Sequence, residues 1–534
     1  MTRQSFVKGA AILTAAGMSV RLIGAFFRVA LAMLIGDEGV GLFQMAYPVY
    51  STLLAVSTAG IPIAISKLVS ENIARDDYNG AKHIFNIALS ILSLSGLVIS
   101  ITLFFSADFF ARTIAQDPRA YLPLVSISPA IFLVTVMSAY RGFFQGQHQM
   151  LPTALSQIAE QLGRVLIALT LVLLLLPRGL EWAAAGASFG AVAGAFAGLI
   201  SLLIVWWRQK KYFLGKLSSQ KHQENLPFFS VVYKIFALSV PITLGSLVMP
   251  LINIVDLSIV PQRLHSAGFD TSRATSLYGQ LTGMASPLVH IPTIITVALA
   301  ISLVPAISEA MALRKIKKIQ ERSYLAIRLT LLLSLPAAVG LFLLAKPITL
   351  LLFQNVEAGG VLAAMSFGVI FLTLYQTTSG ILQGLGRPMD PVKSLFYGAL
   401  IKMSLTWVLT SLPVLNIRGA ALATVIGFGV AALLNLYKVL VLTGMPMRAQ
   451  DTIIKPLLAS SVMGLAVIVL YEWAGSLFAG TAYTNAIATL AAITCGALVY
   501  GLMLLLIGGI KREDLETIPR IGPALGNIFN FLRR

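Results

Sequence analysis

Several charged or strongly polar residues of this chain stand in stretches that are otherwise apolar, and each could bind or carry charge. Arg21 and Arg28 are seven residues apart, so a helix places them on one face, about 10 Å apart along its axis. Gly17 and Gly24 share that face and leave room for another group. Two such cations suit a diphosphate or another anionic head group; alternatively, Arg28 reaches outward or pairs with Asp256. Gln157, Glu160, Gln161 and Arg164 recur at i, i+3, i+4 and i+7, a polar stripe along one helix. Glu160 and Arg164 can neutralise each other within that helix, yet the stripe extends past the pair, as a wet cavity requires. Lys402, on a segment with Ser394 and Tyr397, puts a further cation near the depth of Arg164.

Other positions carry weaker signals. Asn253 and Asp256, one turn apart, could coordinate Na⁺ or hold a proton; Asp256 could also simply neutralise Arg28. His290, just before Pro292, has a side chain able to titrate near neutrality, although a lone histidine among helices is more often a hydrogen-bonded core residue. Gln376, Ser379 and Gln383 form a stripe suited either to sugar hydroxyls or to joining helices. No phosphate-binding Walker loop, zinc-ligand spacing or catalytic constellation occurs, and Cys495 lies in an apolar run. The expectation is therefore no enzyme, no cofactor and no metal site.

These charges matter because of what surrounds them. The chain is 57% hydrophobic and 11% charged, against roughly 25% charged in soluble domains. Apolar runs of the length that spans a bilayer, about 20 residues, recur from one end to the other. Inside lipid such runs must be helices, since no water satisfies their backbone groups. About fourteen spans are expected, among them 7–35, 42–70, 120–147, 153–177, 274–308, 358–386 and 391–413. A charge at mid-membrane costs roughly 2.5–3.5 kcal/mol, so it normally faces a cavity or a partner. The net charge of +18 does not point to nucleic acid. With both termini cytoplasmic, Lys and Arg sort roughly four to one onto the inner side, the bias that fixes membrane orientation.

The chain also repeats itself. Gly142, Gln145 and Gly146, followed by Pro152, match Gly380, Gln383 and Gly384, followed by Pro391. Ser70-Glu71 matches Ser308-Glu309, and Gly186-Ala187-Ser188 matches Gly419-Ala420-Ala421. The expected organisation is an N-lobe of six spans (1–207), a basic cytoplasmic linker (208–229) and a C-lobe of six spans (230–443). Two further spans (444–508) and a basic cytoplasmic tail (509–534) follow. Six spans is an even number, so the repeat is parallel, with a substrate path between pseudo-symmetric lobes. The two Gly-x-x-Gln-Gly segments are expected to be gating loops about which the lobes rock.

Arg3-Gln4-Ser5-Phe6-Val7-Lys8-Gly9, Gly36-Asp37-Glu38-Gly39-Val40-Gly41-Leu42-Phe43 and Tyr140-Arg141-Gly142-Phe143-Phe144-Gln145-Gly146 resemble the stage V sporulation protein B group. Ser156-Gln157-Ile158-Ala159-Glu160-Gln161 and His290-Ile291-Pro292-Thr293 followed by Ser302-Leu303-Val304-Pro305 resemble it as well. That group belongs to the multidrug/oligosaccharidyl-lipid/polysaccharide exporter superfamily and is related to the MurJ lipid II flippases. The resemblance implies two six-helix lobes, two extra helices, alternating access and an undecaprenyl-diphosphate-linked glycan as cargo. It also implies a bacterial cytoplasmic membrane location. Arg21 and Arg28 fall at or near first-span arginines of MurJ proteins. The chain departs from those proteins at Pro287, where many carry an eighth-span arginine, and at His290, which replaces an acidic residue.

A flippase for a lipid-linked cell-wall precursor, lipid II first, is therefore expected, coupled to Na⁺, H⁺ or the membrane potential. Cell-wall synthesis enzymes would be its protein partners. The rival readings are a flippase for another lipid-linked oligosaccharide, a cation-coupled multidrug exporter, and a membrane scaffold that transports nothing.

Overall fold

The computed structural model describes residues 6–58, 60–218, 227–479 and 483–509. Residues 219–226 of the expected basic linker, Lys221 included, and the tail beyond 509 lie outside the described residues. All regular secondary structure among the described residues is helical, as backbone groups in lipid require.

Cα proximity divides the chain into two compact units, residues 1–283 and 284–534. The first holds α1 (Phe6–Thr58), α2 (Ile61–Ala74), α3 (Tyr78–Phe109), α4 (Tyr121–Gly146), α5 (Met150–Leu175), α6 (Leu180–Ser218), α7 (Phe228–Ser266) and α8 (Thr271–Gly279). The second holds α9 (Ser286–His290), α10 (Thr293–Ala312), α11 (Ile316–Leu343), α12 (Ala345–Phe353) and α13 (Ala358–Ser366), then α14 (Gly368–Gly384), α15 (Met389–Leu409), α16 (Ile417–Thr443), α17 (Lys455–Leu477) and α18 (Thr484–Leu506).

Twelve helical stretches among the described residues are long and apolar enough to cross a membrane, or 13 if the bent pair α13–α14 is one span. One of them, Ala11–Ala74, runs for 64 residues, far beyond the ~20 that one crossing needs. It kinks at Gly36, whose φ of 64° suits a residue without a Cβ. Three expected spans are not continuous. The 42–70 segment breaks between α1 and α2, where Pro62 opens the new helix. The 274–308 segment divides into α8, a π-helical turn at Gln280–Ala285, α9 and α10. Pro287 and Pro292 lack the N–H that a continuous helix needs. The 358–386 segment bends by 45° between α13 and α14, at a Ser366–Gly368 stretch of the kind that kinks helices.

Lipid tails are as apolar as leucine, so close packing, more than hydrophobic burial, joins helices in a bilayer. The repeated glycines supply that closeness. A Cβ added at Gly142 or Gly146 would lie 2.8 Å from the Pro62 or Ser66 carbonyl oxygen of α2. In the second unit, a Cβ at Gly380 would lie 2.7 Å from the Ala300 oxygen, and one at Gly384 3.1 Å from that of Val304, both on α10. Both the glycines and their partners repeat at the same offset of about 238 residues, so the duplication extends to the backbone contacts. The Gly-x-x-Gln-Gly segments are therefore the last turns of α4 and α14, and not the loops expected from their glycine content.

Each unit has its own core. In the first, Phe85 meets Phe143 at 4.6 Å between ring centroids and Trp206 at 5.3 Å. In the second, Ile307, Ile327, Ile381, Leu382 and Val439 are buried together. The helix pair α17–α18 is tied to α11 by the Tyr500 hydroxyl, which donates to the Leu332 carbonyl at 2.7 Å.

Candidate substrate site

The i, i+4 spacing on α5 places Glu160 and Arg164 in contact, with the Arg164 Nη2 3.0 Å from Glu160 Oε1. The other carboxylate oxygen, Oε2, accepts from Nη2 of Arg141 on α4 at 2.9 Å. Arg141 is held in turn by its Nε, which donates to the Ser156 hydroxyl at 2.9 Å. One carboxylate thus sits between two guanidiniums, and all three side chains are only 16–20% exposed. The Nε of Arg164 is buried without a hydrogen-bond partner.

The rear of the cluster is fixed by α6. Gly190, Gly194 and Gly198 recur every fourth residue and form a groove against α5. A Cβ at Gly194 would lie 2.4 Å from the Glu160 carbonyl oxygen and 2.9 Å from Arg164 Cβ. One at Gly198 would lie 3.2 Å from Glu160 Cβ. From the other side α1 supplies Arg28, close enough to Arg164 for the two charges to repel and beside Tyr47. Tyr47 and Tyr50, on the second leg of α1, flank Arg164. Gly24 lets α1 approach the Gln161 amide, whose Nε2 would be 3.4 Å from an added Cβ. Two arginines thus hold one glutamate, and a third, Arg28, lies near Arg164.

The structure therefore brings together Arg28, Glu160 and Arg164 from the expected residues, with Gln161 at the α1 contact. Arg21 lies two turns from Arg28 on α1, both arginines are exposed, and Gln157 is half-buried one turn before Glu160. Asn253 is exposed on α7, while Asp256 is half-buried and lies near Tyr278. In the second unit His290 is exposed at the break between α9 and α10. The Gln376 Oε1 accepts from the Thr296 hydroxyl at 2.9 Å, so this residue joins α14 to α10. Gln145 is half-buried and Gln383 exposed, each in the last turn of its helix. Lys402 is half-buried on α15 against Gly427 of α16, whose added Cβ would meet Lys402 Cβ at 2.8 Å. That matches the placement of Arg164 against Gly194.

Arg141 carries charge in this site and was not singled out by spacing, because its partner is on another helix. A second polar cluster also escaped notice. It joins the α1 kink, the α3–α4 connection and the start of α8. Arg119 meets Glu38 at 2.6 Å and Asp117 at 2.8 Å. The Thr275 hydroxyl donates to Asp117 at 2.7 Å, Gln280 donates to Asp37 at 2.7 Å, and Ser272 donates to Glu38.

The profile of the family described as polysaccharide biosynthesis protein matches residues 6–311, and that of the MatE family matches residues 281–408. Stage V sporulation protein B of Bacillus subtilis (strain 168) is 33% identical over 98% of this chain and 99% of its own length. The chain belongs to the polysaccharide biosynthesis protein family. This family member is also 29% identical to the protein named lipid II flippase MurJ of the same organism, over 88% of each chain. Its fold matches a solved structure titled lipid II flippase MurJ, inward closed conformation, with a TM-score of 0.67 at 17% identity. That likeness covers 93% of this chain and 98% of the other. The family member is a multi-pass membrane transporter, and not an enzyme.

Proposed function

We propose that this transporter is a flippase that moves an undecaprenyl-diphosphate-linked cell-wall precursor, lipid II first, from the inner to the outer leaflet by alternating access. The observation that carries the proposal is the Arg28, Arg141, Arg164 and Glu160 cluster on apolar helices. Guanidiniums present paired N–H donors that fit phosphate oxygens, and in a low-dielectric setting such a cluster favours an anion. The named function of the MurJ relative agrees with it. No covalent step is needed. In this reading both termini are cytoplasmic and the polyprenyl tail stays in lipid beside α17 and α18. Resetting draws on the membrane potential, worth about 2.3 kcal/mol per charge per 100 mV, or on Na⁺ or H⁺ at Asn253 and Asp256.

A second reading, another lipid-linked oligosaccharide, is supported by the higher identity to stage V sporulation protein B than to MurJ. A drug exporter selecting cations would favour acidic groups where this cluster is basic. The test is outer-face exposure of lipid II in cells whose only flippase is this protein, beside Arg164→Ala and Lys402→Ala at equal protein levels. Restored exposure in wild type that is lost in Arg164→Ala supports the first reading. No restoration despite normal membrane insertion moves the cargo to another lipid-linked glycan. Equal activity of all three overturns the cation site and favours the scaffold.

A further inference from the structure

We propose that the turn between α10 and α11 is a docking surface for anionic membrane lipid, built from four cations and three exposed apolar side chains. The inference goes beyond the flippase reading and does not depend on which cargo is carried. α10 ends at Ala312 and α11 begins at Ile316, and each is long and apolar enough to cross a membrane, so the short turn stays at the bilayer surface. Arg314, Lys315, Lys317 and Lys318 are all exposed there. None of the four makes an ion pair or a side-chain hydrogen bond among the described residues. Between them stand Met311, Leu313 and Ile316, 51%, 55% and 62% exposed. Other residues brace the turn: Ile319 is buried in the core of its unit, Gln320 donates to the Thr443 carbonyl at 2.9 Å, and Arg322 donates to that of Ala306.

The duplicate of this turn, between α2 and α3, shows what the backbone alone needs. Asp76 and Arg314 are both left-handed, with φ of 57° and 51°. The hydrogen bonds that follow also match: the Tyr78 N–H donates to the Asp76 carbonyl and the Ile316 N–H to that of Arg314, both at 3.2 Å. Asp77 then caps α3, accepting from the Gly80 N–H at 2.7 Å, and a carboxylate suits the positive end of a helix. Lys315 stands in its place without a side-chain cap, and Lys317 and Lys318 follow in the first turn of α11. Cations there oppose the helix dipole. Over 71–83, Glu71, Asp76 and Asp77 outweigh Arg75 and Lys82, whereas over 309–321 the four cations outweigh Glu309 and Glu321. A signal that only orients spans needs basic residues in the loop. It needs neither cations crowded onto a helix start nor apolar side chains left open between them. Phosphodiester head groups supply the missing anions, and the apolar side chains meet the acyl boundary beneath. A soluble acidic partner would use the charge and leave Met311, Leu313 and Ile316 without a role.

The experiment uses the full chain in phosphatidylcholine nanodiscs, with a fluorophore on Ala312→Cys in a Cys495→Ala background. Brominated phosphatidylglycerol or brominated phosphatidylcholine is titrated in, and quenching reports which lipid sits at the turn. Phosphatidylglycerol is expected to quench at a much lower mole fraction, and high salt to narrow the difference. The variant Arg314→Gln/Lys315→Gln/Lys317→Gln/Lys318→Gln removes the four charges; glutamine already stands at positive φ at Gln116 and Gln354, and equal melting in detergent checks folding. A cation near an anionic surface is worth about fivefold, so this variant is expected to need at least about tenfold more phosphatidylglycerol for half-quenching. The control Arg208→Gln/Lys210→Gln/Lys211→Gln/Lys216→Gln removes as much charge elsewhere and is expected to quench as wild type does. Equal quenching by the two lipids in wild type, or an equal loss in the control, overturns the proposal. If polyglutamate alters the fluorescence in pure phosphatidylcholine discs while phosphatidylglycerol does not quench, the surface belongs to an acidic protein and the lipid assignment fails. None of these readings depends on glycolipid flipping, so failure here and failure of the flippase reading are separate outcomes.

Discussion

The fourth and fifth spans of the first unit and their duplicates in the second share a backbone design and differ in chemistry. Gly142 and Gly146 seat α4 on α2, as Gly380 and Gly384 seat α14 on α10. Gly194 receives the root of Arg164, as Gly427 receives that of Lys402. Yet Arg141 corresponds to Ser379, whose hydroxyl bonds the Tyr375 carbonyl at 2.6 Å and accepts from Asn435 at 3.1 Å. By the same offset Glu160 corresponds to Gly398. Close helix packing tolerates little change at a glycine, because any Cβ meets backbone. A side chain beside the seam can change from ionic to neutral so long as its hydrogen bonds remain satisfied. The difference leaves the second unit no carboxylate at the position that Glu160 holds in the first.

The largest effect should come from breaking the ionic half alone. Arg141→Ala or Arg164→Ala removes charge-assisted contacts, each worth about 1.5–3 kcal/mol, so glycolipid exposure should fall by about 10–100-fold. Ser379→Ala should change it by less than about twofold, since neutral contacts of this kind are worth little net energy. Comparable losses at both places would show that the second unit binds the head group as well. Lys402→Ala should cost about tenfold, less than Arg164→Ala, while Lys402→Arg retains activity, because the position supplies charge more than geometry.

The shared seam makes the opposite forecast. Gly146→Val and Gly384→Val should destabilise the protein by similar amounts, about 1–3 kcal/mol by overpacking, read as melting in detergent. A large effect in only one half would mean that the repeat persists in geometry but no longer in energetics. The smallest effect is expected at the second polar cluster. Arg119→Ala loses its contacts with Glu38 and Asp117, but Arg119 is one-third exposed, so about 1 kcal/mol is expected after solvent screening. Flipping should survive that change.

The Glu160–Arg164 pair was legible in the sequence because both residues lie on one helix, whose period fixes their approach. Arg141 was not, because its contact with Glu160 depends on how α4 and α5 lie together. The same limit applies to the Gly-x-x-Gln-Gly segments, whose glycines suggested loops while the helices that need them, α2 and α10, are far away in sequence. Prolines at 287 and 292 were visible as letters, but the division of the 274–308 segment into α8, the π turn, α9 and α10 reflects several local choices at once.

By itself the sequence determined that the chain lives in a membrane, that it is helical, where most helices run, and that it was built by duplication. Those properties follow from hydropathy, helical period and spacing, all of which are local along the chain. Only the tertiary structure decided that Arg141 joins Arg164 at Glu160, with Arg28 near Arg164. The physical reason is that helices already in lipid gain nothing by hiding apolar surface, so small residues and shape select their neighbours, and with them which charges converge.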